Sequence, residues 1–402
     1  MKLAYIADGR SPIARNWVGA FIEAGHEVHL ISTTPVEPLS GLAGFNMVSV
    51  AYSGLAKPLQ PGIKKKKRGL VSGAAAMNLR ARARRWIGPY LLNQSAGQIR
   101  RIVEDIQPEL VHAMRIPFEG MAAARAGFPQ PLVVSVWGND FTLHARATPG
   151  MARRTRETMA RTTGLHADCR RDLKLAKQWG WPEGRPEIVL PGNGGIRPEI
   201  FHPRSEDELL SQRLASVFTE LPEDAKLVVN PRGFRGYVRN DTFFRSIPLI
   251  REKEPDALFL CPAMAGEQPA LQWLDRLGIH GAVRLLPRLE PEEMAQLFSR
   301  AAVAVSPSEH DGTPNTLLES MACGAFPVAG DLDSIREWIT DGENGLLIDP
   351  GDPDQLAEAV LRVLRDADLR ANAAALNQDE ISERASQPDV QRRAAMFYEQ
   401  LI

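Results

Sequence analysis

The sequence predicts an α/β fold of two doubly wound domains, each a parallel sheet covered by helices. The length of 402 residues exceeds what one hydrophobic core usually organises. Short apolar runs bounded by turn residues alternate with helical patterns in both halves of the chain. A glycine-rich turn at 191–195 separates the halves and is the expected interdomain hinge. The predicted domains are residues 1–198 with a terminal helix over 386–402, and residues 199–385.

Composition and charge favour a cytoplasmic globular protein. Hydrophobic residues make up 44% of the chain and charged residues 24%. The formal net charge of −1 argues against a dedicated nucleic-acid binder. Apolar runs are shorter than the ~18 residues of a membrane span, and the first one meets Asp8 too early for a signal peptide.

The sequence gives no reason to expect a metal or another cofactor. The three cysteines are far apart and lack metal-ligand spacing, and Cys261 and Cys323 lie in apolar surroundings typical of core residues. A D-x-D triplet at 331–333 resembles metal-binding triplets, but similar triplets recur at 352–354 and 366–368. We therefore predict no metal site.

The chain opens with a predicted strand over 2–7, a helix over 17–24 and a strand over 28–32. This order is how a doubly wound domain begins. The loop between them lacks the GxGxxG fingerprint of dinucleotide binding. Ser11 and Arg15 in this loop are candidates for contact with an anion, and a solvated loop is the alternative.

Two further strands, 110–112 and 132–136, end beside polar side chains. Ligands of open α/β sheets bind beyond the carboxyl ends of the strands. We therefore expect His112 and Asp140 at the rim of an active site, with a purely structural role as the alternative for each.

A basic stretch precedes Trp86 and Ile87. Basic side chains beside exposed aromatic rings are typical of segments that lie on an anionic membrane or bind a phosphate-bearing acceptor. A solvated loop, and more weakly a localisation signal or nucleic-acid patch, remain open as alternatives. The densest part of the stretch is Lys64, Lys65, Lys66, Lys67 and Arg68.

In the second half, arginines interleaved with glycine follow directly after the predicted strand 227–230. Guanidinium groups bind phosphate oxygens in pairs, so this loop is suited to a diphosphate. The candidates are Arg232, Arg235 and Arg239.

The stretch 306–324, SPSEHDGTPNTLLESMACG, lies between two apolar runs that we predict as buried strands. Its helix is predicted to begin near Thr316, where free N–H groups and the positive end of the dipole face an anion. Asp311 and Glu319 place carboxylates on either side. The pattern favours a ligand with phosphate and hydroxyl groups, such as a nucleotide sugar. The other candidates in this turn are Gly312, Thr313, Pro314 and Asn315.

The same residues allow a structural interpretation. Thr316 and Glu319 fit a capping box, in which the two side chains satisfy free N–H groups at a helix start. Asp311 fits an ordinary turn residue. The position of the Glu319 carboxylate distinguishes the two interpretations.

Taken together, these features resemble the retaining glycosyltransferases of family 4, which have the GT-B fold. The resemblance runs over nearly the whole chain and is strongest at 303–349, where 306–329 is similar to the family signature and DGENGLL matches a later element. Weaker matches are found at 25–28, 108–112, 138–140 and 191–194.

The resemblance implies two Rossmann-like domains facing across a cleft and metal-independent transfer of a hexosyl group from a nucleoside-diphosphate sugar. It implies that Asp311 lies beside the sugar, Glu319 holds the ribose hydroxyls and Arg232 neutralises the diphosphate. The backbone of 312–316 would cradle the sugar and the distal phosphate. Asp140 is the third expected catalytic residue. Cell-surface glycan or glycolipid synthesis is the expected setting, with a glycan or lipid-linked acceptor.

Three departures from the family pattern keep alternatives open. The first acid is Asp311 instead of glutamate, Tyr237 replaces a lysine, and Trp137 replaces a histidine that touches the sugar. Arg235 or Arg239 would then supply the second cation. A non-catalytic nucleotide-sugar-binding or membrane-assembly subunit, and a sugar-nucleotide epimerase, are the alternative functions.

Overall fold

The computed structural model describes residues 1–51, 84–192, 194–205, 210–222 and 225–402. The chain divides into two units, residues 1–194 with 390–402, and residues 195–389. The sequence predicted that the first segment of unit 1 ends at residue 198, whereas it ends at 194. It predicted that the chain returns to unit 1 at residue 386, whereas it returns at 390. The predicted basic cluster at 64–68 lies outside the described residues.

Unit 1 is built on a parallel sheet, as predicted, and this sheet has seven strands in the described residues. The strand order is β3-β2-β1-β4-β5-β6-β7. Successive strands are therefore added towards one edge of the sheet up to β3 and towards the other edge from β4 onwards, and the change occurs between β1 and β4. This reversal is the topological switch point at which doubly wound sheets bind ligands. The strands are β1 (Lys2–Ala7), β2 (Glu27–Ser32), β3 (Gly44–Met47), β4 (Leu110–Ala113), β5 (Leu132–Val136), β6 (Gly164–Ala167) and β7 (Glu187–Val189).

Helices cover both faces of this sheet, and each face has its own apolar core. The first helix begins earlier than predicted because Ser11 caps it: the Ser11 hydroxyl accepts the Ala14 N–H at 3.4 Å, and Pro12 occupies the first position. The prediction that Ser11 meets an anion is therefore not supported. The helices are α1 (Pro12–Glu23), α2 (Leu92–Ile106), α3 (Met121–Ala126), α4 (Pro149–Arg161) and α5 (Arg170–Gln178).

Unit 2 contains a six-stranded parallel sheet in the order β10-β9-β8-β11-β12-β13, with its switch point between β8 and β11. Two apolar cores again fill the space between the sheet and its helices. The strands are β8 (Lys226–Val229), β9 (Ala257–Cys261), β10 (Val283–Leu285), β11 (Val303–Ser306), β12 (Phe326–Gly330) and β13 (Leu346–Ile348). The helices are α6 (Gln212–Thr219), α7 (Asn240–Lys253), α8 (Gln268–Leu277), α9 (Pro291–Arg300), α10 (Asn315–Ala322), α11 (Pro353–Arg365) and α12 (Ala367–Arg384).

The last helix, α13 (Gln387–Glu399), carries the chain back to unit 1, as predicted. Val390, Ala394 and Tyr398 are buried in the core that also contains Tyr5 and Trp17. The helices in the described ranges are all too short or too polar to cross a membrane.

Helix α12 was not predicted. Three of its eighteen residues are buried, Ala373, Asn377 and Ile381, and one of these is polar. An apolar stripe this sparse gives no helical periodicity to read from the sequence.

Candidate functional site

Two loops lie side by side at the switch point of unit 2. The loop after β8 and the loop after β11 form an antiparallel bridge between Val238 and Ser308. The Glu309 N–H donates to the Tyr237 carbonyl, and the Arg239 N–H donates to the Pro307 carbonyl, both at 2.9 Å. The arginine loop and the acidic stretch of the sequence are thus brought together.

Arg232 is the centre of this site. Its Nη1 donates to the Thr316 hydroxyl at 3.2 Å, and its Nη2 forms an ion pair with Asp311. The residue is only 7% exposed, and its Nε has no hydrogen-bond partner in the described part of the chain. Three of the predicted donor-site residues therefore form one contact network.

Two asparagines position the Arg232 loop. Asn230 accepts the Arg232 backbone N–H at 3.1 Å, and its amide donates to Asn240 at 3.3 Å. Asn240 in turn donates to the Gly233 carbonyl at 3.1 Å, and Gly233 adopts φ +63°, a conformation that favours glycine. Neither asparagine was predicted as a site residue, because a polar residue at the end of a strand or at the start of a helix is common.

Helix α10 begins at Asn315 without a side-chain cap, and its N-cap position is Pro314. The capping box of Thr316 and Glu319 is therefore not formed. The first N–H groups of α10 and the positive end of its dipole remain available to an anion.

The Glu319 carboxylate is partly buried beside two arginines. Desolvation raises the pKa of Glu319 to about 7, and the positive charges of Arg197 and Arg232 oppose this rise. A carboxyl group that titrates near neutral pH and does not cap a helix is typical of a functional position. Arg197 was not anticipated, because it precedes the predicted second domain.

The turn between β11 and α10 is held by side chains that follow β12. The Trp338 indole N–H donates to the Thr313 hydroxyl at 3.1 Å. The Ser334 hydroxyl donates to the Asp311 carbonyl at 2.8 Å. These two residues fix the backbone of the turn, and nothing in their sequence context indicated that role.

The two candidates for a second cation differ in their partners. Arg239 donates to both oxygens of Asp241 and to Glu309, each at 2.8 Å. Arg235 is exposed and donates to the Tyr237 hydroxyl at 3.0 Å. Among the described residues, Arg235 has no carboxylate partner, so its charge is the less compensated of the two.

Asp140 lies at the end of β5 in unit 1, but its carboxylate is completely buried. Arg115 donates to its Oδ1 at 2.9 Å, and the N–H groups of Ile116 and Trp137 donate to its Oδ2 at 3.1 and 3.3 Å. With both oxygens engaged, Asp140 ties the loops after β4 and β5 together. This geometry favours a positioning role over the predicted catalytic contact.

His112 is also completely buried, so its predicted position at a rim is wrong. It belongs to a hydrogen-bonded chain inside unit 1. The Trp17 indole N–H donates to the Tyr398 hydroxyl at 3.0 Å, and that hydroxyl contacts His112 Nδ1. Ser135 lies between His112 Nε2, at 2.7 Å, and His166 Nδ1, at 2.9 Å.

The Leu190 carbonyl at the end of this series of hydrogen bonds determines which group donates in each bond. His166 Nε2 lies 3.0 Å from the Leu190 carbonyl, which only accepts, so Nε2 carries the proton. Each preceding group then donates towards Leu190, and both histidines are neutral. Burial agrees with this assignment, since it lowers the pKa of His166 to about 4 and that of His112 well below its usual value.

Two other groups at the switch point of unit 1 are engaged. Arg15 donates to the carbonyls of Gly9 and Glu37 at 3.3 and 3.2 Å, which leaves its predicted anion contact unsupported. Glu119 was not predicted; it is buried and accepts the Thr33 hydroxyl at 2.8 Å. Burial raises the pKa of Glu119, although nearby arginines oppose the rise.

In the described ranges, one cluster of side chains is close enough together to bind a single metal ion. Asp168, Cys169 and Asp172 are buried, and their ligand atoms lie within 4.8 Å of one another. The guanidinium of Arg171, 2.7 Å from Asp172, already provides a positive charge there. The expectation that the protein needs no metal stays a prediction.

Comparison with protein families gives two matches in tandem. Residues 9–192 match the model of the glycosyl transferase 4-like domain, and residues 234–366 match that of the group 1 glycosyl transferases. The two matched ranges together cover most of the chain.

Among curated proteins, the chain is 28% identical to the D-inositol 3-phosphate glycosyltransferase of Salinispora tropica over 197 residues, which are 46% of this chain and 40% of that protein. The protein of the same name from Nocardioides is 24% identical over 367 residues, 86% of this chain and 74% of that protein. The chain thus matches less than half the length of the Salinispora relative.

Two solved structures illustrate the similarity in fold. Sucrose-phosphate synthase from Thermosynechococcus elongatus has a TM-score of 0.77 at 14% identity, with coverage of 100% of this chain and 99% of that one. HepE from Anabaena, solved in complex with UDP-glucose, has a TM-score of 0.73 at 14% identity over the full length of both chains. These similarities establish the GT-B fold that the sequence predicted.

Proposed function

Because the chain belongs to the glycosyltransferase family that these two domain models define, we propose that it transfers a hexosyl group from a nucleoside-diphosphate sugar to an acceptor hydroxyl with retention of configuration. The observation that carries the proposal is the network of Arg232, Asp311 and Thr316 at the uncapped start of α10. It supplies an oriented guanidinium and the N–H groups of a helix start at the switch point of unit 2.

Arg232 and the start of α10 would act on the leaving diphosphate. Negative charge develops on this group as the glycosidic bond breaks, and a guanidinium already oriented by Asp311 and Thr316 needs little reorganisation to stabilise it. Arg235 would provide the second positive charge. Loss of one such donor typically lowers kcat by about 10²- to 10³-fold.

The carboxylates would recognise hydroxyl groups of the donor. Glu319 does not cap α10, which leaves its carboxylate available for the ribose hydroxyls. Asp311 would lie beside the sugar while it holds Arg232. The backbone of 312–316 would cradle the sugar and the distal phosphate, with Thr313 fixed by Trp338.

The setting we propose is cytoplasmic synthesis of a cell-surface glycan or glycolipid, with unit 1 as the acceptor domain. The ligand of HepE makes UDP-glucose the first donor to examine. The name of the curated relatives makes inositol 3-phosphate the first acceptor to examine.

The test is a donor and acceptor panel with product analysis by NMR. The proposal predicts a glycoside with the anomeric configuration of the donor, formed by the wild type and lost in Asp311→Asn and Arg232→Ala. A product with only the inverted configuration would contradict retention. Donor binding without turnover on any acceptor would indicate a non-catalytic subunit, and conversion of the donor without an acceptor would indicate an epimerase.

A further inference from the structure

Exposed apolar side chains are concentrated in one short segment of unit 1. Eight large hydrophobic side chains are exposed in the described ranges, and four of them lie between residues 86 and 91. These four, which we call the apolar patch, are Trp86 (61% exposed), Ile87 (47%), Tyr90 (62%) and Leu91 (41%).

The fold fixes the outward direction of this patch. The Thr148 hydroxyl donates to the Arg85 carbonyl at 3.1 Å, and Arg154 Nε donates to the Pro89 carbonyl at 3.0 Å. Gly88 is buried against the Phe118 ring so closely that a Cβ would lie 2.6 Å from it. The segment is thus anchored through its backbone while the four apolar side chains point away from the core.

The surroundings of the patch are positively charged. Residues 84–101 contain four arginines and no aspartate or glutamate. The patch also lies against α4, where a Cβ on Gly150 would lie 3.3 Å from the Tyr90 ring. The nearby Arg146 is exposed, and the exposed Arg153 is paired with Glu157 at 3.6 Å. An apolar centre with an arginine surround is complementary to a surface with anionic head groups above hydrocarbon.

We propose that the apolar patch docks unit 1 on an anionic lipid bilayer. Trp86 and Tyr90 combine an apolar ring with a polar atom, the combination that is enriched at the membrane–water interface. Arg85, and Arg101 of α2, would attract the lipid phosphates, whereas Arg100 is already paired with Glu104 at 2.7 Å. The proposal goes beyond the glycosyl transfer and does not depend on it.

The size of the patch favours a bilayer over a protein partner. Four large side chains, each about half exposed, offer roughly 400 Å². A standard protein interface buries roughly 800 Å² on each partner, whereas insertion into a bilayer requires no complementary shape.

The test is co-sedimentation of the full chain with phosphatidylcholine vesicles and with vesicles that also contain phosphatidylglycerol. The wild type should bind the anionic vesicles more tightly, and added salt should weaken this binding. The double variant Trp86→Ser/Tyr90→Ser should bind them about tenfold or more weakly, because two aromatic rings no longer insert. The matched control is Leu376→Ser/Met396→Ser, which removes two side chains of similar exposure elsewhere (50% and 57%).

Equal binding by the wild type and the Trp86/Tyr90 variant would overturn the proposal, as would the absence of wild-type binding to anionic vesicles. A concentration-dependent dimer that the same variant dissociates, without vesicle binding, would show that the patch is a protein interface. Because both substitutions are on exposed side chains, the variant should unfold at the wild-type temperature, which excludes misfolding as the cause of lost binding.

Discussion

The guanidinium of Arg232 donates to the hydroxyl of Thr316 at 3.2 Å and thereby joins the loop after β8 to the start of the helix after β11. These two strands flank the switch point of unit 2. One side chain therefore couples the two places at which a doubly wound sheet binds phosphate, the strand end and the helix start.

Arg232→Lys should lower kcat/KM by about 10²-fold, because a lysine has one ammonium group and cannot contact Asp311 and Thr316 in the planar geometry of a guanidinium. Steady-state kinetics with saturating acceptor would measure the loss. Arg213→Lys is a matched control, since Arg213 pairs with Glu293 outside the site. Activity of Arg232→Lys within twofold of wild type would show that a point charge suffices.

The second cation can be identified by comparing Arg235→Ala with Arg239→Ala. We expect Arg235→Ala to weaken donor binding about tenfold, since its charge has no carboxylate partner among the described residues. Arg239→Ala should affect binding less, because Asp241 and Glu309 already neutralise that guanidinium. Calorimetric titration of both variants with the donor measures the difference, and the opposite order would refute the assignment.

Glu319→Gln should change the pH dependence of stability. The pKa of Glu319 is about 7 in the folded protein and about 4.3 for an unperturbed glutamate, so the folded state holds more protons between these values. Its contribution to the free energy of unfolding therefore falls as pH rises from about 4.3 to about 7 and is constant above that.

Denaturant unfolding across this pH range should show Glu319→Gln gaining stability over wild type as the pH rises, while it binds the donor more weakly. The comparison is made between variant and wild type because buried His112 and His166 contribute with the opposite sign. Glu343→Gln at an exposed position is the control. A difference that does not vary with pH would mean that Glu319 titrates normally.

Tyr398→Phe should lower the free energy of unfolding by about 1–3 kcal/mol, because it leaves the Trp17 indole N–H and His112 Nδ1 buried without a partner. Urea denaturation measures the change. Tyr90→Phe removes an exposed hydroxyl and should have almost no effect. Equal stability of the two variants would mean that these buried hydrogen bonds do not hold the terminal helix in unit 1.

Much of the fold could be predicted because the apolar runs in the sequence coincide with the strands of the structure. The strands Lys2–Ala7 and Leu132–Val136 extend over the predicted residues. Buried strands of parallel sheets are nearly continuous apolar runs, which stand out in a sequence. The short β3 and the largely exposed α12 give no such signal and were missed.

The site was predictable only in part, because sequence position does not specify the direction of a side chain. Arg232, Asp311 and Thr316 were anticipated and are in contact. Asp140 and His112 also lie at strand ends, but their side chains turn into the core. The supporting residues Asn230, Asn240 and Trp338 act through contacts that only the fold creates.

Calorimetric titration of the wild type and of Arg232→Ala with UDP, GDP and ADP shows directly whether the donor binds at Arg232. We expect the wild type to bind one of these nucleotides and Arg232→Ala to bind it at least about tenfold more weakly, because the diphosphate loses its guanidinium partner. Binding that Arg232→Ala leaves unchanged, or the absence of binding to any of the three, would contradict the placement of the donor at the switch point of unit 2.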